Sequence, residues 1–414
     1  MRDCAACQQP TCDEIINFGE LPICHHFLKD GETEPTHPAA LGQCSFCGLV
    51  QMMAPIPPAK LVPRFDWITY NEPEAHLDAV VEMLQGLPGI NAASSIAGLS
   101  YNDDSTLRRF RDRGFQKTWR VDMSADLEIQ VPNAGIETVQ SRVKPPLAAK
   151  LRQKYGTPDL LIARMILEHT GQASALLQTL RELISPSGYV VFDVPDCGRA
   201  FDLFDYTTLW EDHTNYFVEA TFRGALTNAG FEVERFECYR GPYENCLVAV
   251  AKPSAPQRLT PLAEPEKALE TKRAGEFAAR FKERRDSVRR ELEGWRKQGK
   301  VALFGAGHQS VMFINLMGLS DLVEFVVDDH PHKCGRKLPG SRLPIVPSAA
   351  LCSENIKFCL SSLGAASEPK VIKKHQQFVQ KGGVFASIFP VNRESVFNLL
   401  AGNPATEACK PSSP

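Results

Sequence analysis

The sequence predicts an α/β protein with mostly parallel sheets covered by helices, preceded by a small metal-binding segment. Three observations carry this. From about residue 74, apolar strand-like runs alternate with amphipathic helical runs, the pattern of a parallel sheet with helices on its faces. Residues 1–60 instead cluster Cys, His and Pro and show little helical periodicity. A stretch with Pro253, Pro256, Pro261 and Pro265 then divides the alternating part in two, as a linker would. At roughly 100–200 residues per domain, 414 residues fit two to four domains. The boundaries read as 1–60, 61–253 and 254–414.

Taken in order, Pro55-Ile56-Pro57-Pro58 closes the first segment and Glu74 to Leu84 turns helical. Ser95 to Leu99 reads as a strand and Ser105 to Arg113 as a helix. Asp159 to Ala163 is a buried strand, Ala173 to Leu183 a helix, and Tyr189 to Val194 another strand. Gly230 to Glu234 and Cys246 to Val250 close this domain. A charged helix runs from Glu266 to about Lys297. After it come strand Val301 to Gly305, a helix through Leu316, and strand Val323 to Asp328. Phe358 to Leu360 and Val384 to Ile388 continue the series.

Composition narrows the function. Lys plus Arg total 46 against 49 for Asp plus Glu, a net charge of −3, which argues against a general nucleic-acid or anionic-membrane binder. No run approaches the roughly 18–20 apolar residues of a membrane helix. Nothing behind Met1-Arg2-Asp3-Cys4 reads as a signal peptide. Thirteen cysteines, six of them before residue 48, fit reduced thiols in a cytoplasm with an N-terminal metal cluster better than a disulfide scaffold.

The chemistry-bearing constellations follow. Cys4-x-x-Cys7 and Cys44-x-x-Cys47 supply four thiolates, a closed tetrahedral set that suits a structural zinc ion. Cys12, Cys24, His25 and His26 are weaker substitutes. Gly305-Ala306-Gly307 follows a strand and opens a helix, with Asp328 and Asp329 ending the next strand. That is a partial dinucleotide fingerprint with Ser310 at the third glycine position, and a plain tight turn is the better reading. Ser100-Tyr101-Asn102-Asp103-Asp104 follows the first strand of the middle domain, and Asp122 ends the second, where an acid can meet ribose hydroxyls. Trp210 to Phe217 concentrates functional side chains on a loop. His213 beside acids can serve as a general base. Pattern alone favours a structural loop there, and a satisfied structural role for His169.

In order along the chain, Cys4-x-x-Cys7, Asn17 to Pro22 and Cys44 to Gln51 resemble the N-terminal zinc domain of the deoxysugar C-methyltransferases. Phe304 to Gly307, Leu316, Val326 to Asp328, Pro331 to Arg336, Leu338 to Ser341 and Pro344-Ile345 are similar to the C-terminal domain of that family. Trp210 to Phe217 resembles its aromatic-His-Glu-His-x-x-Tyr-Phe loop. The resemblance spans nearly the whole chain. It implies a class I S-adenosylmethionine (SAM) methyltransferase core, Rossmann-like, between a zinc domain and a second Rossmann-like domain.

By that resemblance His213 is the general base, with Asp212 in place of the family's Glu and Tyr216 completing the catalytic set. Glu211 stands where the loop often has His. Ser100, Asn102, Asp103, Asp104 and Asp122 would bind SAM. Trp67, Tyr70, Trp210, Gly305 and Gly307 would bind the acceptor, a small molecule of the nucleotide-sugar kind. Zinc, on Cys4, Cys7, Cys44 and Cys47, would be architectural. The sequence also departs from the family. Its first loop keeps Asn-Asp but loses both flanking glycines, and Gly241 to Asn245 replaces a Gly-Gly-Ser stretch. Two other readings therefore stand beside methyl transfer: a non-catalytic homologue that binds a nucleotide-sugar or a protein, and a nicotinamide-dependent enzyme using the Gly305 turn.

Overall fold

The computed structural model describes residues 2–68, 72–255 and 258–401. Contacts divide the chain into two compact units. Met1–Gly19, Pro38–Arg199 and Glu211–Gly275 form the first, and Glu20–His37, Ala200–Trp210 and Glu276–Pro414 the second. The sequence reading keeps residues 20–37 and 200–210 within the first two domains. In the structure they group with the C-terminal part of the chain.

The strands in chain order begin with β1 (Cys12–Pro22), β2 (Thr36–Cys44) and β3 (Val50–Met52). Next come β4 (Ile96–Gly98), β5 (Thr118–Arg120), β6 (Leu160–Arg164) and β7 (Tyr189–Asp196). The short β8 (Asn215–Tyr216) precedes β9 (Phe231–Tyr239) and β10 (Asn245–Pro253). A four-stranded sheet has the order β1-β2-β3-β8, so a distant two-residue strand completes the cysteine-bearing sheet. There Val50 lies opposite Tyr216 and Gln51 opposite Asn215.

The central sheet has the order β5-β4-β6-β7-β10-β9. The first four strands are parallel, and β10 runs against both of its neighbours. The inner strands β4, β6, β7 and β10 are buried on both faces because helices cover both. Leu161, Ala163, Val190, Phe192, Val194, Leu247 and Ala249 point into one core, together with Leu176, Leu177, Leu180 and Leu183 of helix Ala173–Leu183. The four knuckle cysteines belong to that same core. Alternate residues Leu160, Ile162, Tyr189, Val191, Val248 and Val250 face the other core, with Val80, Val81 and Leu84 of helix Leu77–Gln85. Leu107 and Phe110 of helix Asp104–Asp112 join them. The two-residue period of each strand thus feeds two hydrophobic layers.

Among the helices that the sequence reading does not anticipate are Ile136–Arg142 and Pro145–Tyr155. Gly135 and the Pro145-Pro146 pair break the periodicity that would have announced one longer helix, yet Pro is tolerated in a first helical turn. The proline-rich stretch is also not a free linker. Thr260 donates its N–H to Asn228 Oδ1 at 2.9 Å, and Leu262 donates to the Phe46 carbonyl at 3.0 Å, so the segment is fastened beside the second cysteine knuckle.

The second unit holds a parallel sheet of β11 (Lys300–Phe304), β12 (Val326–Val327), β13 (Ile345–Val346), β14 (Ile356–Ser361) and β15 (Val384–Ser387). Its order is β13-β12-β11-β14-β15. Leu28 and Lys337 exchange backbone hydrogen bonds, which is how the segment after β1 belongs here. Helix Glu264–Arg296 leads into β11. Among the described residues no helix is long and apolar enough to cross a membrane.

Gly98 closes β4 where a helix crosses tightly over it. A Cβ there would lie 2.9 Å from both Asp103 Cβ and Leu107 Cδ1. Gly98→Ala is therefore expected to cost about 1–3 kcal/mol of stability, the usual range for overpacking, read as a lowered midpoint in urea unfolding.

Candidate active site

The four cysteines come from two turns of one design. Gln8 N–H bonds the Cys4 carbonyl at 2.9 Å, and Gly48 N–H bonds the Cys44 carbonyl at 2.8 Å. The residue after each second cysteine, Gln8 and Gly48, has a left-handed backbone. Cys4 and Cys47 sulfurs are 3.6 Å apart, and Cys7 and Cys44 sulfurs 3.7 Å. Zinc–sulfur bonds of about 2.3 Å in a tetrahedron put sulfurs about 3.8 Å apart, so the cage fits zinc. All four side chains are buried. Thiol hydrogen bonds from Cys4, Cys47 and Cys7 hold the Cys44 thiol well below its ordinary range. Cys12 turns toward the Met53 sulfur instead, and burial pushes its thiol up to about 12. With no position left for water or substrate, zinc here does no chemistry.

In the central sheet the chain passes from β4 to β5 on one side and to β6 on the other. The carboxyl ends of β4 and β6 therefore flank a topological switch point, the crevice where α/β sheets take ligands. After β4, Ser100 caps the turn Tyr101–Asp103. The Asp103 carboxylate accepts N–H bonds from Leu99 (2.7 Å), Ser100 (2.8 Å) and Arg164 (2.9 Å), stitching the ends of β4 and β6 together. Burial pushes its carboxyl up to about 7, against the pull of those three donors and of the Arg164 charge. Asn102 donates to the Met165 carbonyl at 3.0 Å. Asp104 pairs with Arg120 at 2.8 Å. At the end of β5, Asp122 is exposed and accepts the N–H groups of Ser124 and Ala125. Asp103 thus serves the backbone, while Asp122 remains at the surface of the crevice.

Arg164 is 2 % exposed and spans the switch point. Its guanidinium bonds the Asn102 carbonyl at 2.9 Å, Asp193 Oδ2 at 3.2 Å and the Pro73 carbonyl. His76 Nε2 meets the same Asp193 oxygen at 2.8 Å. Glu72 lies close to this network, and burial raises its carboxyl to about 7.

The turn after β6 gathers a second cluster of polar side chains. Asn215 donates to the carbonyls of Leu167 (3.0 Å) and Thr170 (2.7 Å), and Glu168 O accepts the N–H groups of Thr214 and Asn215. This grip lays residues 211–214 over Glu168 and His169. The His213 ring meets the His169 ring edge to face, with centroids 4.7 Å apart. His169 Nδ1 is 3.7 Å from Asp212 Oδ2, and its Nε2 is 3.7 Å from Glu168 Oε1. Glu137, in the first turn of helix Ile136–Arg142, reaches the same cluster. Burial raises the carboxyls of Glu137 and Glu168 well above the usual range and lowers the His169 imidazole. Tyr216 is buried in β8, its ring centroid 6.4 Å from that of His213.

The other sequence-predicted residues scatter. Trp67 stacks on Phe65 at 4.9 Å. Tyr70 lies outside the described residues. Trp210 belongs to the second unit, where it stacks on His308 at 3.7 Å. Gly305 (φ +96°) and Gly307 form the turn after β11, also in the second unit. There Asp328 Oδ2 accepts the Ala306 N–H at 2.9 Å, and Lys333 bonds the Ala306 carbonyl at 2.6 Å. Ser310, at the third glycine position, donates to the Gly305 carbonyl. The turn spends on itself the groups a dinucleotide would use. Sequence reasoning missed Glu72, His76, Glu137, Arg164, Glu168 and Asp193. Asp193, the lone charge inside an apolar strand, and Arg164 at a strand's carboxyl end were the available signals.

Three family models match consecutive parts of the chain. Residues 4–61 match a zinc binding domain, residues 98–235 a methyltransferase domain, and residues 247–390 a C-methyltransferase C-terminal domain. No curated protein sequence matches the chain. Solved structures similar to it include 1,6-didemethyltoxoflavin-N1-methyltransferase of Burkholderia thailandensis with bound S-adenosylhomocysteine. It is 15 % identical, with 44 % of this chain and 80 % of that one covered, at a TM-score of 0.30. Magnesium protoporphyrin IX methyltransferase of Synechocystis PCC 6803 is 16 % identical over 45 % of this chain and 90 % of its own, also at 0.30.

Replacing Cys44 with Ser opens the thiolate cage. The purified variant is expected to lose its one zinc per chain by atomic absorption and to expose residues 2–52 to protease, because structural zinc binding is folding free energy. At Glu72 the sign is set by a raised carboxyl. The folded state keeps a proton that the unfolded state has released between about 4.5 and 7, so this residue's contribution to stability falls as pH rises through that window. Glu72→Gln removes the fall. Its melting temperature should match the parent near pH 4 and exceed it by a few degrees at pH 8 in a calorimetric pH series.

Proposed function

Starting from a SAM-dependent methyltransferase laid out as the C-methyltransferases are, with zinc in its N-terminal domain, we propose that it methylates a carbon of a nucleotide-linked keto-sugar. His213 acts as general base. It takes a proton from the carbon beside the ketone, and the enolate attacks the methyl group of SAM, leaving S-adenosylhomocysteine. SAM supplies the electrophilic methyl group. Ser100, Asn102, Asp103, Asp104 and Asp122 shape its site, with Asp122 toward the ribose. Asp212 sits beside the base. Tyr216 is a positioning residue that anchors the loop through β8. Trp67, in the same unit as His213, contributes to acceptor binding. Among the described residues no cysteine is in a disulfide, which supports work in the cytoplasm.

The observation that carries this reading is the grip of Asn215 on the turn after β6. It brings His213 to His169 and the buried acids at the crevice of a methyltransferase domain. The departures in the Ser100 loop keep a second reading open, a homologue that binds without turnover. Incubation with keto-sugar nucleotides in deuterium oxide separates them. The parent enzyme should exchange the proton beside the ketone and, with SAM, form a methylated sugar. His213→Ala should lose both by about 100-fold or more while still binding S-adenosylhomocysteine in calorimetry. Full turnover in that variant removes the base, and no exchange in the parent removes the reaction.

A further inference from the structure

Glu137, His169 and Asp212 come from three separate segments: a helix that follows β5, the turn after β6, and the loop before β8. One ligand atom from each lies within 4.8 Å of the other two. The carboxylates of Glu137 and Asp212 approach each other with no Lys or Arg paired to either among the described residues. Arg164, the nearby cation, is committed to Asp193, Asn102 and Pro73. Two carboxylates drawn together away from water repel each other, so the fold needs a positive charge or a proton between them.

His169 decides which. Its side chain is 4 % exposed, and its Nδ1 is buried without a hydrogen-bond partner. That nitrogen faces Asp212 Oδ2 at 3.7 Å, too long for a hydrogen bond. Two ligands on one ion at bond lengths of about 2.1 Å are separated by about 3–4 Å, which suits this distance. Asp212 Oδ1 is likewise buried and unpartnered. A shared proton would satisfy the acids but leaves Nδ1 of His169 without a bond to either carboxylate. A metal ion takes up all three groups.

We propose that Glu137, His169 and Asp212 hold a divalent transition-metal cation, distinct from the structural zinc. One imidazole with two carboxylates is a donor set for Mn²⁺, Fe²⁺ or Zn²⁺ rather than for the all-oxygen shell of Mg²⁺. Beside the acceptor such an ion would polarise the ketone oxygen and stabilise the enolate that His213 generates. That catalytic role rests on the proposed C-methylation, whereas the binding itself does not.

Mn²⁺ titrated into zinc-loaded protein tests the site without donor or acceptor, so a failure of the reaction and a failure of the site are told apart. Loss of the free Mn²⁺ signal in electron paramagnetic resonance should report one ion per chain, bound below about 1 mM. Pulsed measurements should show coupling to one imidazole nitrogen. Glu137→Gln and Asp212→Asn should each weaken binding by at least about tenfold, and His169→Ala should abolish the nitrogen coupling. Glu137→Asp, which keeps the charge, guards against a variant that fails to fold, and it should retain measurable binding. Absence of saturable Mn²⁺ binding, binding unchanged in Glu137→Gln, or a bound ion without nitrogen coupling overturns the proposal and leaves a proton shared between the two acids.

Discussion

The crevice of the central sheet depends on one buried electrostatic brace. A parallel sheet opens at its switch point because the crossovers depart in opposite directions. In this chain Asp103 and Arg164 close that gap with hydrogen bonds. Asp103 takes backbone N–H groups from both strand ends, and Arg164 reaches over to Asn102 and Asp193. The buried Arg164–Asp193 pair adds little net stability against an apolar substitute, yet removing one member strands the other. The value of the brace is geometric, since it fixes the floor on which the Ser100 turn and the Glu168 turn stand.

The same brace explains how the chain manages without the glycines usual in its first loop. A glycine-rich turn lets a ligand approach the backbone closely. Here the N–H groups of Leu99 and Ser100 already have an internal acceptor in Asp103. Asp122, at the neighbouring strand end, is left as an exposed acid of this edge. The second unit shows the parallel case, in which Asp328 and Lys333 occupy the turn after β11.

Much of the fold was legible because it rests on local pattern. Helix Ala173–Leu183 has the bounds its leucine spacing implies, and β7 and β10 extend the apolar runs that announce them. Helix Pro145–Tyr155 was hidden by its own prolines. β8 could not be read, since two residues carry no period and only pairing with Val50 and Gln51 makes them a strand. The site divides along the same line. The density of Trp210 to Phe217 was visible, and so were the cysteine knuckles. That Glu137 and Glu168 stand beside Asp212 and His169 was not, because nothing in a one-dimensional pattern records which acids a tertiary fold will gather.

β8 joins the two halves of this picture. Its backbone extends the cysteine-bearing sheet through Gln51, and the side chain of Asn215 holds the turn beside His169. The sheet that carries the knuckles is thus tied to the loop that carries His213 through a short run of hydrogen bonds. Whatever loosens the cysteine-bearing sheet is thereby felt at the turn beside His169.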